Sequence, residues 1–259
     1  MRNKLAIAVI VFIVWAAITI IGPKMQFGGQ EIQLDELVSR TVALNLVVAA
    51  LFLLAATFYL GWRREVGLKP ADPPKSWLLI WFPMLLIALI FAGAVALGLP
   101  PSSVVFFVLV NTLIVGLSEE LMMRGIFFHG TLSRFSIWQT VLIVSAVFGG
   151  IHALNGFLTG DFGSALMQAV AAGMSGVMFI ALRLRTNSLY PPILVHGLWD
   201  FAVFILMVAL TALRTDAPAP EPTMVQRIVM PLMIALPGFL YGLWLLRGIG
   251  RRDKEEFLT

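Results

Sequence analysis

The stretch VVFFVLVNTLIVGLSEELMMR, Val104 to Arg124, decides how the rest of the chain is read. Its first fourteen residues carry no charge. The apolar character resumes after the charges and continues to about Phe128, longer than the roughly 20 mostly apolar residues that take a helix across a hydrocarbon core about 30 Å thick. Two adjacent carboxylates, Glu119 and Glu120, and the guanidinium of Arg124 interrupt that run. A charged side chain at membrane depth costs at least about 2.5 to 3.5 kcal/mol on insertion scales, so it is kept only where it is paired or used.

The surrounding composition supports lipid as the solvent. Of 259 residues, 59% are hydrophobic and 12% charged, about half the charged share of an ordinary soluble domain. Seven further segments qualify as spans: Leu5 to Ile21, Val42 to Trp62, Trp77 to Leu99, Ile137 to about Leu158, Ala165 to Leu182, Leu189 to Leu213 and Ile228 to Leu246. The expected fold is therefore all-α, a polytopic transmembrane helix bundle of about eight spans forming one integral membrane domain over 1–259. A plasma or inner membrane is its expected location. The first span follows the basic start MRNK, but its apolar run ends in GPKMQ with no A-x-A-like site, so it reads as a retained helix and not a cleaved signal.

Basic residues set the orientation, because Lys and Arg in short loops stay cytoplasmic. With the N-terminus inside, fourteen of the eighteen lie on the cytoplasmic side and four (Lys24, Arg40, Arg214, Arg227) on the other, which predicts both termini cytoplasmic. Net charge is +4, but the basic residues sit between apolar spans and form no patch, so nucleic acid is not an expected partner. The chain has no cysteine, which removes disulfides, thiolate zinc sites and cysteine nucleophiles. No period suggests repeated halves.

Eleven of the fourteen acids fall in loops or the C-terminal tail; Glu119, Glu120 and Asp200 fall within spans. Two histidines, His152 and His196, also lie within spans, while His129 reads as interfacial near a span end. Spacing organises this group. Glu120 and Arg124 stand four apart with the acid first, the favourable order for a helical ion pair, and Glu119 is rotated about 100 degrees away and left free. FGGIH places Phe148 and His152 on one helix face, with Gly149 and Gly150 allowing close approach of another backbone. HGLWD does the same for His196 and Asp200, and LYPPIL puts two prolines in the first turn of that span, where absent amide donors matter least. If the fifth helix ended at Ile151, His152 would lie near the far face.

A carboxylate beside neutral imidazoles can take a proton from water, while a carboxylate, two histidines and a further oxygen ligand resemble a zinc site with an open position. Either would generate a nucleophile for a carbonyl, so hydrolysis is the natural use of these parts. HExxH, G-x-S-x-G and P-loop patterns are absent from the sequence. Ser118 reads as a helix residue and not as a nucleophile.

At these residues the chain resembles a known family. EELMMR, FGGIH and HGLWD match the Glu-Glu-x3-Arg, Phe-x3-His and His-x3-Asn/Asp motifs of the CAAX prenyl endopeptidase and bacteriocin-processing (CPBP, Abi-type) intramembrane metalloproteases, in the family's order and on separate spans. The resemblance covers about Val104 to Leu213, the catalytic motif region 104–213. It implies an endopeptidase acting on a membrane-associated substrate, either a lipidated CAAX-type C-terminus or a leader peptide, with membrane lipid around it. It also implies Glu119 as general base, His152 positioning water or metal, His196 with Asp200 stabilising the oxyanion or binding metal, and Glu120 with Arg124 orienting the site. Zinc held by Glu119, His152, His196 and Asp200 is the cofactor this would allow. One position departs from the commoner pattern. The third motif more often ends in Asn, whose amide donates, whereas an ionised Asp200 cannot; it would be protonated, bind metal or orient His196.

The competing reading is a proton- or cation-coupled transporter, since membrane Glu, His and Asp also form proton relays. Such a protein is expected to show paired repeats or broken helices in both halves, whereas here the ionisable groups crowd the second half. GMSG, Gly173 to Gly176, reads as close helix packing, Asp161 as a solvated loop acid, and FGGQEIQLDEL in the first loop as a candidate surface segment.

Overall fold

A run of apolar residues in lipid must satisfy its backbone internally, and the α-helix does so within one segment. The computed structural model, which describes residues 3–26, 28–212, 229–252 and 254–257, follows that rule, with helices and no strand among the described residues. Seven helical segments are long and apolar enough to cross a membrane: Lys4–Gln26, Pro74–Leu97, Ser102–Leu132, Ile137–Thr159, Phe162–Thr186, Tyr190–Ala212 and Met230–Arg251. The eighth expected span forms the apolar helix Leu44–Leu60, whose 17 residues extend about 26 Å, at the short end of what spans a bilayer. The protein is a multi-pass, all-α membrane bundle. The connection RTDAPAPEPTMVQ, the span ends Leu213 and Ile228, and the charges Arg2, Arg214 and Arg227 used for orientation lie outside the described residues.

In chain order the helices are α1 (Lys4–Gln26), α2 (Leu34–Ser39), α3 (Leu44–Leu60), α4 (Trp81–Leu97), α5 (Ser102–Glu120), α6 (Phe128–Leu132), α7 (Ile137–His152), α8 (Gly156–Thr159), α9 (Phe162–Thr186), α10 (Tyr190–Ala212) and α11 (Met230–Leu245). Between α5 and α6 the helix continues as a π-helical segment, Leu121–Phe127. α7 is joined to α8 by a 3-10 turn at Ala153–Asn155. Helix starts follow from local chemistry. Ser136 and Gln139 form a capping box at α7, and the Asp161 carboxylate accepts from the Ser164 amide at 2.9 Å at α9. Asp161 is thus a helix cap, and Pro191 and Pro192 occupy the first turn of α10.

Packing brings the motif helices together through small residues. α9 packs between α7 and α11, and α10 between α4 and α5. At the α5–α10 crossing, a Cβ on Gly116 would stand 2.8 Å from the Gly197 nitrogen and the Ile193 carbonyl oxygen. At the α7–α9 crossing, a Cβ on Gly149 would meet the Ala169 carbonyl and come within 3.1 Å of Gly173. These contacts let backbones approach where larger side chains would hold them apart. They set Glu119 and Glu120 against α10 and His152 against the same centre. GMSG serves close helix packing, as its small residues suggest.

The first loop does more than lie on a surface. Leu37 and Val38 of α2 are buried, and α2 packs on α5 and α10. Asn111, fully buried in α5, holds this connection: its Nδ2 donates to the carbonyls of Val38 (2.8 Å) and Thr41 (2.7 Å), and its Oδ1 accepts from the Ala43 amide at 3.0 Å. His129 is fully buried, with its ring 4.9 Å from that of Trp62.

Candidate active site

The three motifs meet inside the bundle. Glu120, with no exposed side-chain surface, accepts two hydrogen bonds on one oxygen, from Arg124 Nη1 at 2.9 Å and from His196 Nδ1 at 2.7 Å. The first is the i,i+4 pair read from sequence. The second joins residues 76 apart and makes Glu120 the anchor of the α10 histidine. Arg124 lies in the π-helical segment, whose seven residues are all buried. A single wide turn of this kind inside an α-helix often marks a functional site. The guanidinium of Arg124 also sits 3.9 Å over the Phe148 ring and 5.2 Å from that of Phe179.

Glu119 points elsewhere. Its Oε2 is buried without a hydrogen-bond partner and lies 3.9 Å from His152 Nε2 and 3.8 Å from His196 Nε2. Those gaps are too long for direct hydrogen bonds and are the separations that one water bridges. His152 sits at the C-terminal end of α7, where the helix turns into the 3-10 segment, and this bend keeps it near Glu119. Its Nδ1 lies 2.7 Å from the Phe148 carbonyl. A carbonyl only accepts, so Nδ1 carries the hydrogen and Nε2 faces Glu119. Asp200 Oδ2 lies 3.5 Å from His196 Nε2. Carboxylates therefore face both ring nitrogens of His196.

All six residues singled out by the motifs are thus brought together. Two contributors, Phe179 and Trp15, carry no sequence signal that marks them. Phe179 of α9 stacks on the His196 ring, centroids 4.7 Å apart and planes at 16°, and Phe148 meets both imidazoles edge-on. Trp15 of α1 donates its indole N–H to Ser118 Oγ at 2.9 Å, which commits Ser118 to a structural contact. Glu119, His152 and Asp200 open onto a cavity of about 130 Å³ that is also bordered by α1, α2 and α3.

Tetrahedral zinc at about 2.1 Å from its ligands would hold them about 3.4 Å apart. The measured separations around Glu119 and His196 are 3.5 to 3.9 Å, and among the described residues no group of three or more His, Asp or Glu is arranged to hold a metal ion. Glu119, His152, His196 and Asp200 are the residues that would hold an ion, and the steps proposed for the reaction use the chain's own groups.

No curated protein and no solved structure matches the chain. A family model does match, over residues 101–202, and it is described as Type II CAAX prenyl endopeptidase Rce1-like. The matched stretch runs from just before α5 into α10 and contains all three motifs, so over this region the chain is similar to the Rce1-like type II CAAX prenyl endopeptidases.

Proposed function

We propose that the protein is an intramembrane endopeptidase in which Glu119 activates a water for attack on a peptide carbonyl. The observation that carries this reading is the convergence of an unpartnered carboxylate oxygen, Glu119 Oε2, with two imidazole Nε2 atoms at 3.8 and 3.9 Å on a cavity within the bundle. In this reading the attacking water donates one hydrogen to Glu119 Oε2 and the other to His152 Nε2.

Glu119 takes one proton as the water oxygen bonds to the scissile carbonyl carbon. The tetrahedral oxyanion then needs a donor. His196, with Nδ1–H held by Glu120 and a second proton on Nε2, supplies that donor from a ring fixed between Phe179 and Glu120. Asp200 steadies the same Nε2 in the resting state. When the C–N bond breaks, the proton on Glu119 passes to the leaving amine, and the carboxylate is regenerated. Arg124 offsets the charge of Glu120 in an apolar surrounding.

The family at this region points to a membrane-associated prenylated protein as substrate class. The test is cleavage, in proteoliposomes, of a panel of farnesylated and plain membrane-anchored peptides, read by mass spectrometry. The expected result is release of a short C-terminal peptide from the farnesylated members. Absence of any product across the panel would count against the protease reading and return weight to ion-coupled transport.

A further inference from the structure

Two asparagines are buried near the cavity, and they are satisfied very differently. Asn111 spends both ends of its amide on the backbone of the α2–α3 connection. Asn45, in the first turn of α3, is 7% exposed, and neither its Oδ1 nor its Nδ2 has a hydrogen-bond partner among the described residues. A buried amide left in this state destabilises the fold unless something pairs with it. Its position is fixed by packing: a Cβ on Gly22 of α1 would lie 2.5 Å from the Asn45 Cβ, so only glycine fits opposite.

Asn45 borders the same cavity as Glu119, His152 and Asp200. The other amides on that cavity, Asn155 and Gln168, bond each other at 2.9 Å. The wall beside Asn45 is apolar, formed by Leu37, Val38, Val115 and Phe204 among others. A primary amide offers one acceptor and one donor side, which complements the N–H and C=O of a peptide unit. The cavity of about 130 Å³ is lined on this side by side chains that suit an extended apolar segment.

Building on the protease reading above, we propose that Asn45 is a substrate-binding residue that hydrogen-bonds a main-chain peptide group near the scissile bond, with an apolar substrate side chain against Leu37, Val38 and Phe204. The substrate class this selects is an extended, apolar peptide segment. Asn45 makes no hydrogen bond to Glu119 and is neutral, so it acts on binding and orientation and not on proton transfer.

The probe is a farnesylated peptide ending in Cys-Val-Ile-Met, together with analogues in which each non-scissile amide in turn is replaced by an ester, which removes one main-chain N–H. Asn45→Leu, or the smaller Asn45→Ala where the leucine variant does not fold, is expected to raise KM about tenfold with kcat nearly unchanged, the size of one lost hydrogen bond. At one ester position the wild type should show a similar loss while the variant shows no further loss. A wild-type KM in the variants, or losses that multiply at every ester position, overturns the proposal while leaving the protease reading intact. No cleavage of any peptide by the wild type overturns both.

Discussion

Glu120 is held in two partnerships, and separating them is the most informative perturbation of the site. Replacing it with leucine leaves Arg124, which has no exposed surface, as an unpaired buried cation. Breaking a buried pair from one side costs about 3 to 5 kcal/mol, and the cation–π contacts with Phe148 and Phe179, already made in the intact protein, do not offset it. Glu120→Leu should therefore lower the unfolding temperature by roughly 10 °C, at about 2 to 4 °C per kcal/mol for a chain of this size. Arg124→Met should cost less, because Glu120 keeps its 2.7 Å bond to His196. The double variant Glu120→Leu/Arg124→Met removes both charges, and a hydrophobic replacement of a buried pair is often neutral, so stability should return to near wild type. Activity should not return, since His196 Nδ1 has lost the carboxylate that orients it, a loss of about 10- to 100-fold by analogy with outer-shell partners of ligating histidines. The assay is intrinsic-fluorescence melting in detergent alongside peptide cleavage. A double variant that recovers both stability and cleavage would refute the orienting role and leave Glu120 as one half of an ion pair.

The remaining expectations follow from the same geometry. Asp200→Asn keeps an oxygen near His196 Nε2 and adds an amide donor, so its cleavage rate should stay within about tenfold of wild type, while Asp200→Ala should fall further, toward the 10²-fold typical of a lost polar group at the oxyanion; equal loss in both would show that the charge of Asp200 is needed. Gly116→Ala puts a Cβ against the α10 backbone and forces α5 and α10 apart, so cleavage should drop about 10²-fold, the cost of a misplacement near 1 Å, whereas Gly150→Ala, which meets nothing within 4 Å, should be silent; similar rates for the two would contradict the close-packing account. With the chain's own groups carrying the reaction, cleavage should survive a zinc chelator; loss restored by added zinc would put an ion among Glu119, His152, His196 and Asp200.

The helices were legible because lipid leaves little choice: apolar length alone located every span, including Leu44–Leu60. Their irregularities were not. The π-helical segment that carries Arg124 and extends the fourth span to Leu132, and the 3-10 turn that keeps His152 near Glu119, arise from tertiary packing and leave no mark on hydrophobic periodicity. Within the site, contacts at four-residue spacing were readable, as for Glu120 with Arg124 and for His196 with Asp200. The bond from Glu120 to His196 was not, because nothing local links positions 76 apart. Phe179 looks like any aromatic residue of an apolar helix until its ring is seen stacked on His196. The packing of His129 against Trp62 was likewise not readable, because the two residues are far apart in sequence. The motif likeness supplied the grouping that spacing alone could only suggest, and the crossings at Gly116 and Gly149 supply its physical cause.

The most direct test of the account is the cleavage rate of a farnesylated peptide by Glu119→Gln against wild type in the same proteoliposomes, with folding checked by melting temperature. Glutamine preserves the shape of Glu119 and removes its capacity to take a proton, so the account predicts a fold like wild type and a rate lower by about 10² to 10⁴. A folded Glu119→Gln protein that cleaves at the wild-type rate would contradict it.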